Sequence, residues 1–216
     1  MAADAKLHLE AATTKPSQPD EEQSVPLEGR RLVTADTSLV DLMMFAYEVH
    51  PAQIANGPLW ISADKFDTVL QADLPGRPST PQMRTIVQEK LADRFRLTFH
   101  YVRKPLPVYR IVVARGGPRL TPTTADSMAA NTAAIGFRDG AMIVLNASVA
   151  DLANLMQRYV ALDRPIVDAT GIAGRYDFKL SWTPDFSQFH GHPPWPAPNA
   201  EDASPSLYTA FEEQIG

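Results

Sequence analysis

His190-Gly191-His192 places two imidazoles one residue apart, with the Asp185 carboxylate a few residues upstream. Two imidazole nitrogens and a carboxylate oxygen are a ligand set that a divalent metal accepts. The plainer reading is a proline-rich loop with two solvated histidines, because nothing in the sequence fixes the third ligand. Asp67 and Asp177 are the second candidate pair. Each follows an aromatic residue, in Lys65-Phe66-Asp67 and Arg175-Tyr176-Asp177. Two carboxylates facing one cleft could serve as general acid and base. Otherwise each caps a backbone N–H, or pairs with Lys65 or Arg175, at a strand start. Trp195, in a proline loop, is the candidate for an exposed ligand groove, whereas Trp60 and Trp182 flank strands and are expected in the core.

Other chemistry is poorly supplied. There is no cysteine, which excludes disulfides, thiolate metal sites and cysteine nucleophiles. No Gly-x-Ser-x-Gly elbow is present to present a serine nucleophile. Gly116-Gly117-Pro118 reads as a turn, since no Lys-Ser or Lys-Thr follows it to complete a phosphate loop. His100 and His50 read as solvated or structural. No cofactor is expected, with a divalent metal at His190, His192 and Asp185 as the one exception.

The elements that must position these residues are short. The 216 residues, 44% hydrophobic and 21% charged, suffice for a real core in one large or two small domains. The net charge of −5 argues against nucleic acid as a partner. No apolar run approaches the roughly 18 residues of a membrane helix. The start, Met1-Ala2-Ala3-Asp4-Ala5-Lys6, has no apolar stretch of signal-peptide type.

Residues 7–11 and 31–35 read as strands. Ser38 with Asp41 forms a capping box, and Leu39, Leu42, Met43 and Ala46 make one apolar helical stripe. A strand is expected over 65–72. A second helix follows, capped by Thr80, with Pro81 first and Met83, Ile86, Val87 and Leu91 inward. Alternating Leu97, Phe99 and Tyr101, then the apolar run 108–114, predict a hairpin over residues 96–115.

A shift of 110 residues lays Ser38, Asp41 and Leu42 on Ser148, Asp151 and Leu152, and Asp67 on Asp177. The helix stripe returns as Val149, Leu152, Met156 and Tyr159. After a proline-rich insertion, Thr80-Pro81 returns as Ser204-Pro205. The expected fold class is therefore α+β, a tandem duplication of a strand–helix–strand–helix unit. The first copy adds the hairpin and the second is truncated before it. The expected segments are an N-terminal strand and loop over 1–30, a first repeat over 31–126 and a second over 127–216. A truncated copy would leave a sheet edge open near 141–182, through which the protein could self-associate.

Several stretches resemble one protein family: Leu9-Glu10-Ala11-Ala12-Thr13-Thr14-Lys15-Pro16-Ser17, Leu91-Ala92-Asp93-Arg94-Phe95-Arg96-Leu97, Pro107-Val108-Tyr109, Gly116-Gly117-Pro118, Asp163-Arg164-Pro165-Ile166-Val167-Asp168 and Thr170-Gly171-Ile172-Ala173-Gly174-Arg175-Tyr176-Asp177. The family is abundant in soil acidobacteria and known only as a domain of unknown function (the 3738 family). The resemblance implies an exported, periplasmic or secreted protein, sometimes joined to a membrane-bound peptidase-like sensor domain of BlaR type. It implies no catalytic residues. The expected function is accordingly a non-enzymatic binding or sensory module for a small molecule or protein ligand. The alternative is a small hydrolase of esters or lactones using His190, His192 and an aspartate.

Overall fold

The computed structural model of the chain describes residues 9–18, 27–73, 76, 78–124, 133–138, 140–189, 193–194 and 204–216. Helices and strands are both present, so the protein is α+β. It divides into two compact units, Met1–Lys104 and Pro105–Gly216.

The first unit contains β1 (Leu9–Pro16), β2 (Leu27–Glu28), β3 (Arg31–Ser38), α1 (Leu39–Tyr47), α2 (Trp60–Ala63), β4 (Lys65–Ala72) and α3 (Thr80–Phe95). Its strands form one antiparallel sheet in the order β1-β4-β3-β2. The predicted cap opens α1: Asp41 N–H donates to Ser38 Oγ at 3.2 Å and Ser38 N–H to Asp41 Oδ2 at 2.9 Å. Such a cap contributes about 1 kcal/mol by satisfying donors the helix cannot. Leu39, Leu42 and Ala46 of α1 and Met83, Ile86, Val87 and Leu91 of α3 are buried with Leu32, Leu70 and Ala72 of the sheet. Burying each side chain of leucine size stabilises the unit by roughly 2 kcal/mol.

The second unit contains β5 (Tyr109–Ile111), β6 (Thr121–Pro122), β7 (Ala134–Arg138), β8 (Ala141–Ala147), α4 (Val149–Leu155), β9 (Ile166–Asp168), β10 (Tyr176–Ser181) and α5 (Leu207–Ala210). Wider π turns prolong α4 over Met156–Val160 and α5 over Phe211–Ile215. The antiparallel sheet runs β6-β10-β8-β7, and β5 and β9 form a separate parallel pair. This strand order matches that of the first unit, with β6, β10, β8 and β7 standing for β1, β4, β3 and β2. The core gathers Met142, Val144, Leu152, Met156, Val160, Phe178, Leu180, Trp182, Leu207 and Ala210.

Several expectations need correction. There is no hairpin over 96–115: residues 96–108 carry no strand, and Tyr109–Ile111 pairs in parallel with Ile166–Asp168. The Phe99 ring instead meets Tyr101 edge to face, at 5.4 Å and 89°, and Tyr47 at 4.9 Å and 73°. The hairpin whose loss defined a truncated second copy is thus absent from the first unit too. The compact units divide after Lys104, and β5 and β6 pair with strands of the second unit.

The edge expected to stay open along residues 141–182 is covered in part, since β6 pairs with β10 at Tyr176 and Asp177. β8 sits between β7 and β10, and β10 between β8 and β6. Beyond β6, the Gln214 carboxamide takes both the N–H and the C=O of Ser181. The expected inward packing of the last helix holds, since Leu207, Ala210 and Ile215 are buried.

Smaller shifts have local causes. Ser79, not Thr80, caps α3, because Gln82 stands three residues on and closes a capping box with it. The last helix likewise begins after Ser206, not at Ser204. Tyr159 leaves the buried stripe, since the π turn adds a residue and passes the inward position to Val160. Trp60 is half-exposed and stacks on Phe95 at 6.5 Å, beside the exposed Leu59, so it is not a core residue.

Candidate functional site

Asp67 and Asp177 occupy the same place in their sheets. In the first unit β3 and β4 lose register between Thr34 and Thr37, so Ala35 and Asp36 both lie opposite Asp67. In the second, β8 and β10 lose register between Tyr176 and Phe178, so Leu145 and Asn146 lie opposite Asp177. Each is a β-bulge, in which one extra residue leaves a ladder N–H without its strand partner. The turn residue is left-handed in both, Asp36 at φ 47° and Asn146 at φ 52°. Asp and Asn tolerate that conformation better than other non-glycine residues.

The opposing carboxylate receives the displaced N–H. Asp36 N–H donates to Asp67 Oδ1 at 3.3 Å, and Asn146 N–H donates to Asp177 Oδ1 at 2.9 Å. A hydroxyl from the neighbouring strand joins each: Ser17 Oγ at 2.5 Å on Asp67, and Thr123 Oγ1 at 2.9 Å on Asp177. The same two residues donate their backbone N–H groups to Lys65 and Arg175, each at 3.0 Å. Lys65 and Arg175 themselves reach not the strand aspartates but the helix caps, Asp41 at 3.5 Å and Asp151 at 3.3 Å. Arg175 also donates to the side chain and carbonyl of Asn146, locking the bulge.

Charge follows geometry at Asp67. The Ser17 hydroxyl, then Lys15 at 3.0 Å, hold its carboxyl down to about 2 against the penalty of burial. A carboxylate depressed in the folded state stabilises the fold above its unfolded value near 4, and that contribution disappears as pH falls through about 2. We therefore expect Asp67→Asn to cost about 1–2 kcal/mol at pH 7 and far less at pH 2. Paired urea titrations of the two proteins at both pH values measure this. An equal cost at both would mean the charge has no part in the tie.

Asp185 is likewise engaged. Its Oδ1 accepts from Ser187 N–H at 2.8 Å and its Oδ2 from Gln188 Nε2 at 3.0 Å, and Gln188 Oε1 accepts from Trp182 Nε1–H at 2.7 Å. His190, His192 and Trp195 lie outside the described residues. Among the described residues no three histidine, aspartate or glutamate side chains are grouped to hold a metal ion. His50 is buried and caps the turn Pro51–Gln53 through Nδ1, which accepts from Ala52 N–H. His100 is exposed.

One cluster escaped the sequence reading. Tyr109 of β5 donates its hydroxyl to Asp163 Oδ1 at 2.8 Å, and its ring lies 5.7 Å from that of Tyr208 on α5. The Arg164 guanidinium stands 5.5 Å from the Tyr109 ring centre and bonds Asp163 Oδ2 at 3.2 Å. The Tyr208 hydroxyl, and next Asp163, raise the Tyr109 phenol, while the Tyr109 hydrogen bond lowers Asp163. The proton therefore stays on Tyr109 and the charge on Asp163, so the pair is a fixed polar feature with Tyr208 exposed beside it. Tyr109 and Asp163-Arg164 lie in motif stretches of the sequence, but Tyr208 carries no motif, and only folding brings it alongside.

These observations define an α+β protein with two sheets of like topology, each braced by an aspartate at a bulge. Residues 40–216 match the family described as a protein of unknown function (DUF3738), and the chain belongs to that family. No curated protein and no solved structure matches it. No helix among the described residues is long and apolar enough to cross a membrane.

Proposed function

We propose that the chain is a binding or sensory module without catalytic activity, acting outside the cytoplasm, and that its two units arose by duplication. One observation supports the first part above the others. The carboxylate offered as acid or base in each unit accepts a bulge N–H and a hydroxyl. A general base must turn its carboxylate toward a substrate proton, and in both units one carboxylate oxygen is committed to bracing the bulge. The exposed Tyr208, Arg164 and Asp163 around Tyr109 supply an aromatic and charged surface suited to binding instead. The shared strand order, bulge and capping box support the duplication.

The competing activity is hydrolysis of esters or lactones through His190, His192 and an aspartate, with or without a divalent metal. The expected result of a panel of such substrates, with and without added zinc, is no turnover above that of heat-denatured protein. Reproducible turnover that disappears in His192→Ala would overturn the binding reading.

A further inference from the structure

The parallel pair β5–β9 is asymmetric at its two edges. Tyr109 N–H donates to Pro165 C=O at 2.8 Å, and Ala169 N–H donates to Ile111 C=O at 2.9 Å. In a strand the N–H and C=O of one residue point to the same side and those of the next residue to the other. The N–H and C=O of Arg110 therefore face away from β9. On the far side of the ribbon, the outward Ile166 N–H is closed by Gln157 Oε1 at 2.8 Å. Arg110 has no such partner among the described residues.

Two parallel strands standing alone are unusual, because parallel ladders normally belong to larger covered sheets. A two-stranded ribbon is also marginal by itself. The residues along the free edge are β-branched and in water: Val108, Val112 and Val113 are 38%, 54% and 37% exposed. Tyr109 and Ile111 pack against the core. Val108, Arg110 and Val112 consequently share the outer face, with Val167 of β9 opposite Arg110. Along β5 and its flanks the chain is basic: no aspartate or glutamate occurs from Pro105 to Thr124, and the carboxylates Asp163 and Asp168 lie on the β9 side.

We propose that the free edge of β5 docks an extended segment of a partner protein with the pattern apolar–x–acidic–x–apolar. The segment adds a third strand through the N–H and C=O of Arg110. Its acidic side chain meets the Arg110 guanidinium, and its apolar side chains cover Val108 and Val112. A second copy of this chain fits less well, because two-fold pairing centred on this residue would set Arg110 against Arg110, and like charges directly opposite destabilise a sheet. The proposal deepens the binding reading and rests on it.

The test uses the full chain, labelled with nitrogen-15, and two capped peptides, Ser-Val-Thr-Glu-Thr-Val-Ser and the same sequence with Lys for Glu. The Glu peptide is expected to move the amide resonances of residues 108–113 saturably and to slow exchange of the Arg110 amide. The Lys peptide is expected to bind roughly tenfold more weakly, and Arg110→Glu to reverse that order. Among the described residues the Arg110 side chain makes no hydrogen bond or ion pair, and the wild-type comparison of the two peptides stands without the variant. Equal affinity for both peptides overturns the proposal. So does the absence of shifts at residues 108–113 up to roughly millimolar peptide. Protection of the Arg110 amide that grows with protein concentration and without peptide assigns the edge to a second copy, and also overturns it. Ester turnover would remove the binding reading without touching these shifts, so the two failures are distinguishable.

Discussion

Trp182→Ala is expected to destabilise the second unit by about 3–5 kcal/mol, a large part of what holds a domain of this size folded. Trp182 is 1% exposed and lies just past the end of β10. Its ring stacks on Phe189 at 5.9 Å and 18°. Its indole N–H satisfies Gln188, which is itself buried and held by Asp185. Alanine would leave a cavity in the core cluster beside Phe189, and would strip the Gln188 side-chain carbonyl of its donor. Trp182→Phe keeps most of the ring contact and loses only the hydrogen bond, so it should cost about half as much. Urea unfolding followed by far-ultraviolet circular dichroism reads both values. A cost below about 1 kcal/mol for the alanine variant would mean that this residue is not the centre of the core.

Asp177→Ala should cost about 3 kcal/mol, more than the usual loss of one surface carboxylate. Its Oδ1 holds both the Asn146 N–H and the Thr123 hydroxyl, and Asn146 and Thr123 are 2% and 9% exposed. Removing the acceptor leaves two buried donors facing a single methyl group. It also releases a left-handed Asn146 whose conformation persists because its surroundings enforce it. Arg175 would remain on Asn146 and Asp151, so part of the bulge should survive. The signature is therefore a stability loss in urea together with faster amide exchange at Asn146. A variant as stable as the parent would show that the carboxylate does not support the bulge.

Much of this arrangement was legible beforehand because it depends on local chemistry. The Ser38–Asp41 and Ser148–Asp151 capping boxes, the strand 65–72 and the inward stripe Met83, Ile86, Val87 and Leu91 all follow from near neighbours in sequence. The bulge ties are half legible: the repeat makes Asp67 and Asp177 equivalent but points to no hydroxyl partner for either. Ser17 and Thr123 stand outside the segment that aligns with a shift of 110. The signal available was a proline followed by a hydroxyl residue, Pro16-Ser17 and Pro122-Thr123, at the end of a strand.

The segment 96–115 misled for a physical reason. Alternation and a β-branched run specify extended chain but not a partner. Phe99 meets Tyr47 and Tyr101 edge to face, and the following run meets β9 over only three residues. The Tyr109–Asp163–Arg164–Tyr208 cluster joins residues far apart along the chain, and no spacing rule reaches that far.

The claim at the centre of this account is that the strand aspartates hold the fold and do not exchange protons with a substrate. Carbon-13 carboxyl resonances of the full chain, followed from pH 8 to pH 1.5, measure it at Asp67. The account predicts a midpoint near 2, with the carboxylate charged throughout the neutral range and its shift moved upward in Ser17→Ala. A midpoint between roughly 5 and 7, where a general acid or base is tuned to work, would contradict it.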